Sequence, residues 1–134
     1  MEPDSSNKHV VELRKCTNLD FLNQCTLSDP VLIMEMISLY LKQTPPLIAI
    51  MRESLLKKDW TSLEGAAHKL IPSFSIVGIH VDYENAAKKI EEYARLSIPL
   101  EKEMMELIQK IEDVCEQAYK ELVKQLNAYK GIRR

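Results

Sequence analysis

The residues Trp60, Leu63, Ala67, Leu70, Phe74 and Val77 recur at alternating three- and four-residue steps, and this spacing constrains the chain more than any other feature. At 3.6 residues per turn it draws one apolar stripe along an α-helix. The same period returns elsewhere: Tyr83, Ala86, Ile90 and Tyr93 (or Ala94), then Met104, Leu107, Ile111, Val114 and Ala118. No stretch alternates apolar and polar residues in period two, and Asn-Gly or Asp-Gly hairpin turns are absent. The expected fold class is therefore all-α: an antiparallel up-and-down four-helix bundle with a short extra N-terminal helix.

Start and stop signals divide the chain. Residues 1–16 read as an N-terminal tail, 17–128 as the helical domain and 129–134 as a loose C-terminal tail. Thr17-Asn18-Leu19-Asp20 matches the S/T-x-x-D/E start signal of a short helix ending near Cys25. Asp29-Pro30 opens the next, because Asp can cap and Pro has its φ preset for a first turn. That helix carries Leu32, Met36 and Tyr40, then Leu47, Met51 and Leu55. Pro45-Pro46 predicts a kink or break in it, since a helical proline loses a donor and crowds the preceding turn. Asp59 starts the helix that bears His68, with Thr61-x-x-Glu64 as a competing capping box, and Pro72 predicts bending within it. Gly78 suits its C-terminal stop. Pro99 starts the last helix, where Glu106/Lys110 and Glu116/Lys120 are i,i+4 pairs.

Composition excludes several functions. A formal charge of −2, with Lys and Arg interspersed among Glu, leaves no footprint for nucleic acid. No apolar run approaches the ~18 residues of a membrane span, and the polar start is not a signal peptide. Cys16, Cys25 and Cys115 are scattered and odd in number, as reduced thiols of a cytoplasmic protein would be, and they suggest no metal site. With three glycines, neither G-x-G-x-x-G nor G-x-x-x-x-G-K-[ST] can be written, so ATP is not held by those loops.

His68 stands about 120° round its helix from the stripe centred near Phe74. It faces water or a partner, where an imidazole can titrate or attack an electrophile. Thr61, Glu64, Gly65, Ile71, Pro72 and Ser75 share its face. Gly65 and Pro72, a turn before and after, keep long side chains off the ring. His9 and His80 are not at metal-ligand spacing to it, and no G-x-S-x-G elbow accompanies Ser73 or Ser75.

The segment from Asp29 to about Glu91 resembles a histidine-containing phosphotransfer (HPt) domain of bacterial multistep phosphorelays. The match rests on Asp29-Pro30, Tyr40, Lys58-Asp59-Trp60, Ala67-His68-Lys69-Leu70, Pro72-Ser73 and Val77-Gly78, and covers about half the chain. The resemblance implies a four-helix bundle whose exposed histidine, through Nε2, takes a phosphoryl group from a receiver-domain aspartate and passes it to another receiver. Implied partners are response-regulator receivers or a hybrid sensor histidine kinase, with Mg²⁺ on the receiver and no cofactor or metal on this chain. A monomeric, cytoplasmic bacterial signalling protein is expected, and Met1 with the polar start leans towards a free-standing one.

Lys69, Glu64 and Ser75 are candidate supports for the imidazole, with Gly65 and Gly78 structural near the site. Ile71, Pro72, Met34 and Leu41 are candidate receiver-docking residues. Ile71 occupies the position where the family usually has a lysine, and Lys88 or Lys89 could compensate. That departure sustains a second reading, a pseudo-HPt adaptor that binds a receiver or kinase without being phosphorylated. A third is a helical bundle used only for oligomerisation.

Overall fold

A computed structural model of the chain describes residues 15–133, all of them helical or in short links, with no strand among the described residues. Five helices follow in order: α1 (Asp20–Cys25), α2 (Pro30–Leu56), α3 (Trp60–Ile76), α4 (Val81–Arg95) and α5 (Glu101–Arg133). The four longer ones close a ring, with α2 against α3, α3 against α4, α4 against α5 and α5 against α2, while α1 packs on α3. No described helix is long and apolar enough to cross a membrane. Residues 1–14, with His9, lie outside the described residues.

The caps act largely as the sequence predicts. Asp29 accepts from the Val31 amide at 2.9 Å, with Pro30 in the first turn of α2. At α3, Asp59 accepts from the Ser62 amide (3.2 Å) and hydroxyl (2.8 Å), not Thr61, and these bonds hold its carboxyl below the usual range. The histidine ring of His80, unforeseen in this role, caps α4 by accepting from the Asp82 amide at 3.1 Å. At α1 the expected Thr17 box is replaced: Asn18 Oδ1 accepts from the Asp20 amide at 2.8 Å. Thr17 instead turns its hydroxyl to Glu121 Oε1 at 2.6 Å.

Other expectations are corrected. α2 runs unbroken through Pro45-Pro46. Its buried face is Ile33, Met34, Ile37, Tyr40, Thr44, Ile48, Met51 and Leu55, and Leu32 is exposed. Before Pro45 the helix has apolar residues on nearly every side, so period alone cannot choose its inward face; packing against α3 and α5 does. The last helix starts at Glu101 rather than Pro99 and buries Ile108 where Leu107 was expected. The helix continues through residues 130–133, with Leu126 and Tyr129 leaning on the core. The expected Glu106/Lys110 and Glu116/Lys120 pairs are not among the ion pairs of the described residues, and Lys110 lies over the Tyr83 ring, 5.5 Å from its centroid.

Leu63, Leu70, Phe74, Ile90, Ile108 and Ile111 are all but inaccessible to water, each stabilising by roughly 1.5–3 kcal/mol on burial. Two ties bring the N-terminal segment onto this core. Glu121 accepts from the amides of Cys16 (2.9 Å) and Thr17 (3.0 Å) as well as the Thr17 hydroxyl. Burial pushes the Glu121 carboxyl up, but these bonds outweigh it and its pKa lies below the usual value. The stability it contributes is therefore present above the unfolded carboxylate pKa and lost as pH falls through the folded one. The second tie is Asn18, whose amide donates to the Val77 carbonyl at 2.9 Å beside Gly78.

Burial, then the Glu121 charge, pushes the Cys16 thiol up to about 12. Burial pushes Cys115 up to about 11 against the opposing bond from Tyr40. Thiolate is the reactive form, so iodoacetamide at pH 8 is expected to modify exposed Cys25 well before the other two. Peptide mass spectrometry over time checks this; equal rates at all three would contradict the packing of the N-terminal segment on α5.

Candidate functional site

His68 sits midway along α3 with 73% of its side chain exposed. Its Nδ1 lies 2.8 Å from Oε2 of Glu91 on α4, a side chain only 25% exposed. A carboxylate only accepts, so Nδ1 carries the hydrogen in this contact, and in the neutral ring that leaves the lone pair on Nε2. The bond fixes both the tautomer and the plane of the ring. The fold brings the pair together simply. Gly78 ends α3 with φ +73°, and the short turn to α4 reverses the chain. His68 lies eleven residues before Ile79 and Glu91 eleven after His80, so they meet across the turn.

The ground around the ring is open on one side and apolar on the other. A Cβ placed on Gly65 would touch nothing within 4 Å, which leaves free space a turn before His68. Pro72 and Ser75 are exposed and Ile71 is half-buried against the core. Glu64 is half-buried, and neither Glu64 nor Ser75 bonds the imidazole. Ser73 is also engaged elsewhere, donating to the Leu70 carbonyl at 2.6 Å.

Lys69 points to the other flank, into a groove it shares with Leu39, Lys42, Gln43, Pro46 and Leu47 of α2. Lys88 pairs with Glu84 at 3.0 Å, and Lys89 reaches Glu103 on α5 at 3.8 Å. Met34 is 7% exposed and lines a separate groove with Leu126 and Lys130 of α5, while Leu41 is half-buried. The apolar α2 residues flanking Lys69 are thus Leu39, Pro46 and Leu47. Gly78 acts through the fold: a Cβ there would fall 2.1 Å from the Asn18 carbonyl oxygen.

Glu91 is the residue that sequence reasoning passed over. Nothing in its local pattern singles it out, since many glutamates occupy helix flanks. Counting equal distances from the turn at Ile79-His80 would have found it, once α3 and α4 were paired as a hairpin.

Among the described residues no cluster of three or more His, Cys, Asp or Glu side chains could hold a metal ion. What the site offers is an oriented, accessible imidazole nitrogen with room in front of it. No protein-family model matches the chain, and comparison with curated proteins and with solved structures finds no match.

Proposed function

We propose that this chain is a histidine phosphocarrier, its four longer helices forming an antiparallel up-and-down bundle of the HPt kind. The observation that carries the reading is the His68–Glu91 bond, which holds Nδ1 and leaves Nε2 exposed. In the proposed step the Nε2 lone pair attacks phosphorus of a receiver aspartyl phosphate. The N–P bond forms as the P–O bond to the aspartate breaks, and its electron pair stays on the aspartate carboxylate. The imidazole gains positive charge, which Glu91 offsets through the Nδ1–H it accepts. Transfer to a second receiver reverses the step. Phosphoryl transfer depends chiefly on placement and charge neutralisation, and the partner receiver would bring its own Mg²⁺. Placed in the cytoplasm as a monomer, such a carrier would serve response regulators or a hybrid sensor kinase.

Ile71 favours a second reading. With an apolar residue in the position where a resembling protein has lysine, the chain would be an adaptor that docks a receiver without accepting phosphate. Incubation with a phosphorylated receiver domain separates the two. The carrier yields an acid-labile phosphoryl group that peptide mapping places on His68, and Glu91→Gln lowers its rate of uptake about tenfold or more, the scale of losing a partner that orients a histidine. Binding with no label transferred sinks the carrier in favour of the adaptor.

A further inference from the structure

We infer that Arg95, at the end of α4, supplies the cation that meets the phosphoryl group on His68. This rests on the phosphocarrier reading, because a phosphoryl group of −1.5 to −2 charges needs a counter-charge, and Ile71 provides none.

The other nearby cations are accounted for. Lys69 lies on the α2 flank of α3, away from Glu91. Lys89 turns to Glu103 on α5. Lys88 borders a groove with Leu107 and Lys110 of α5, and its ammonium is bonded to Glu84, one turn towards the start of α4. Arg95 is exposed, lies four residues after Glu91 and has no ion-pair partner among the described residues. Four residues are about 400°, which puts Arg95 about 40° round from Glu91 and about 6 Å further along the same face.

Side-chain direction decides between Arg95 and Lys88. Side chains on a helix lean towards its N-terminus. The imidazole of His68 therefore leans back over the turn of α3 that contains Gly65, where the space is open. α3 and α4 run in opposite directions, as the His68–Glu91 contact across one short turn requires. Arg95 thus leans up α4 towards Glu91 and into the same space. Lys88 leans in the same direction along α4, towards Glu84, and because it lies on the N-terminal side of Glu91 this carries it away from that space, as its ion pair shows. A guanidinium can also grip phosphate oxygens with two parallel N–H bonds, which an ammonium cannot.

The test uses the full chain and phosphoramidate, from which Nε2 displaces ammonia as the N–P bond forms. Phosphohistidine occupancy and lifetime are read by ³¹P NMR. Arg95→Gln is expected to lower occupancy about two- to fivefold, the range of an exposed charge pair; Arg95→Lys should keep most of it, and Lys88→Gln should match wild type. A cation that served only the C-terminal dipole of α4 would move the melting temperature and leave the lifetime unchanged. Wild type and Arg95→Gln charging alike, or Lys88→Gln falling as far as Arg95→Gln, overturns the role of Arg95 and leaves the carrier standing. Wild type that accepts no phosphoryl group from phosphoramidate or from a receiver overturns both.

Discussion

His68→Gln is expected to abolish phosphoryl uptake while leaving the fold intact. Glutamine keeps polarity and rough length but has no nucleophilic ring nitrogen, and its amide nitrogen carries no available lone pair. The imidazole makes one side-chain bond, to Glu91, and is mostly in water. Stability should therefore change by no more than about 0.5 kcal/mol, as for most surface substitutions. Charging with phosphoramidate or a phosphorylated receiver, followed by acid treatment, reads the first half; a urea melt reads the second. Label persisting on the variant would move the acceptor elsewhere. His80 would be the next residue to examine, since it is exposed and only its Nδ1 is taken up by the α4 cap. A variant that binds a receiver as tightly as wild type, yet stays uncharged, would show that docking and chemistry are separable at this surface.

The second large effect is expected at Gly78. Gly78→Ala should lower stability by about 3 kcal/mol, and two causes add. The backbone at φ +73° costs an L-residue with a Cβ roughly 1–2 kcal/mol. The added Cβ would also meet backbone and side-chain atoms of Asn18 at 2.1 to 2.7 Å, an overpacking that costs typically 1–3 kcal/mol. The segment most easily displaced is the one held by Asn18 and Glu121, so burial of Cys16 should be lost with it and its alkylation should speed up. Gly65→Ala is the contrast. It lies inside α3 with open space around it, so alanine should stabilise by about 0.5–1 kcal/mol. Equilibrium urea unfolding of the two variants checks both signs. Equal effects at Gly65 and Gly78 would mean that the approach of Asn18 to the α3–α4 turn is wrong.

Much of the site was legible because helical period is a local property. The stripe through Leu63, Ala67, Leu70 and Phe74 is buried as its spacing implies, and His68, off that stripe, is exposed. The aspartates Asp29 and Asp59 cap the helices they precede, since a cap needs only its own next few residues. α2 was less legible. Ile33 and Ile37 are buried while Leu32 is exposed, and both sets fit a helical repeat. Pro45-Pro46 signalled a break, yet the helix continues across them, because a cost of a few kcal/mol is offset when both ends pack on the same core.

The sequence by itself determined which segments are helical, where most of them start, and that His68 stands outside the core. These follow from residues within one or two turns of each other. Only the tertiary structure decided that Glu91 holds His68, that α2 turns Ile33 and Ile37 inward, and that Asn18 lies against Gly78. Each of those depends on the register and rotation of one element against another. Neither is set by any local period; both emerge only when the apolar faces of several helices are buried together.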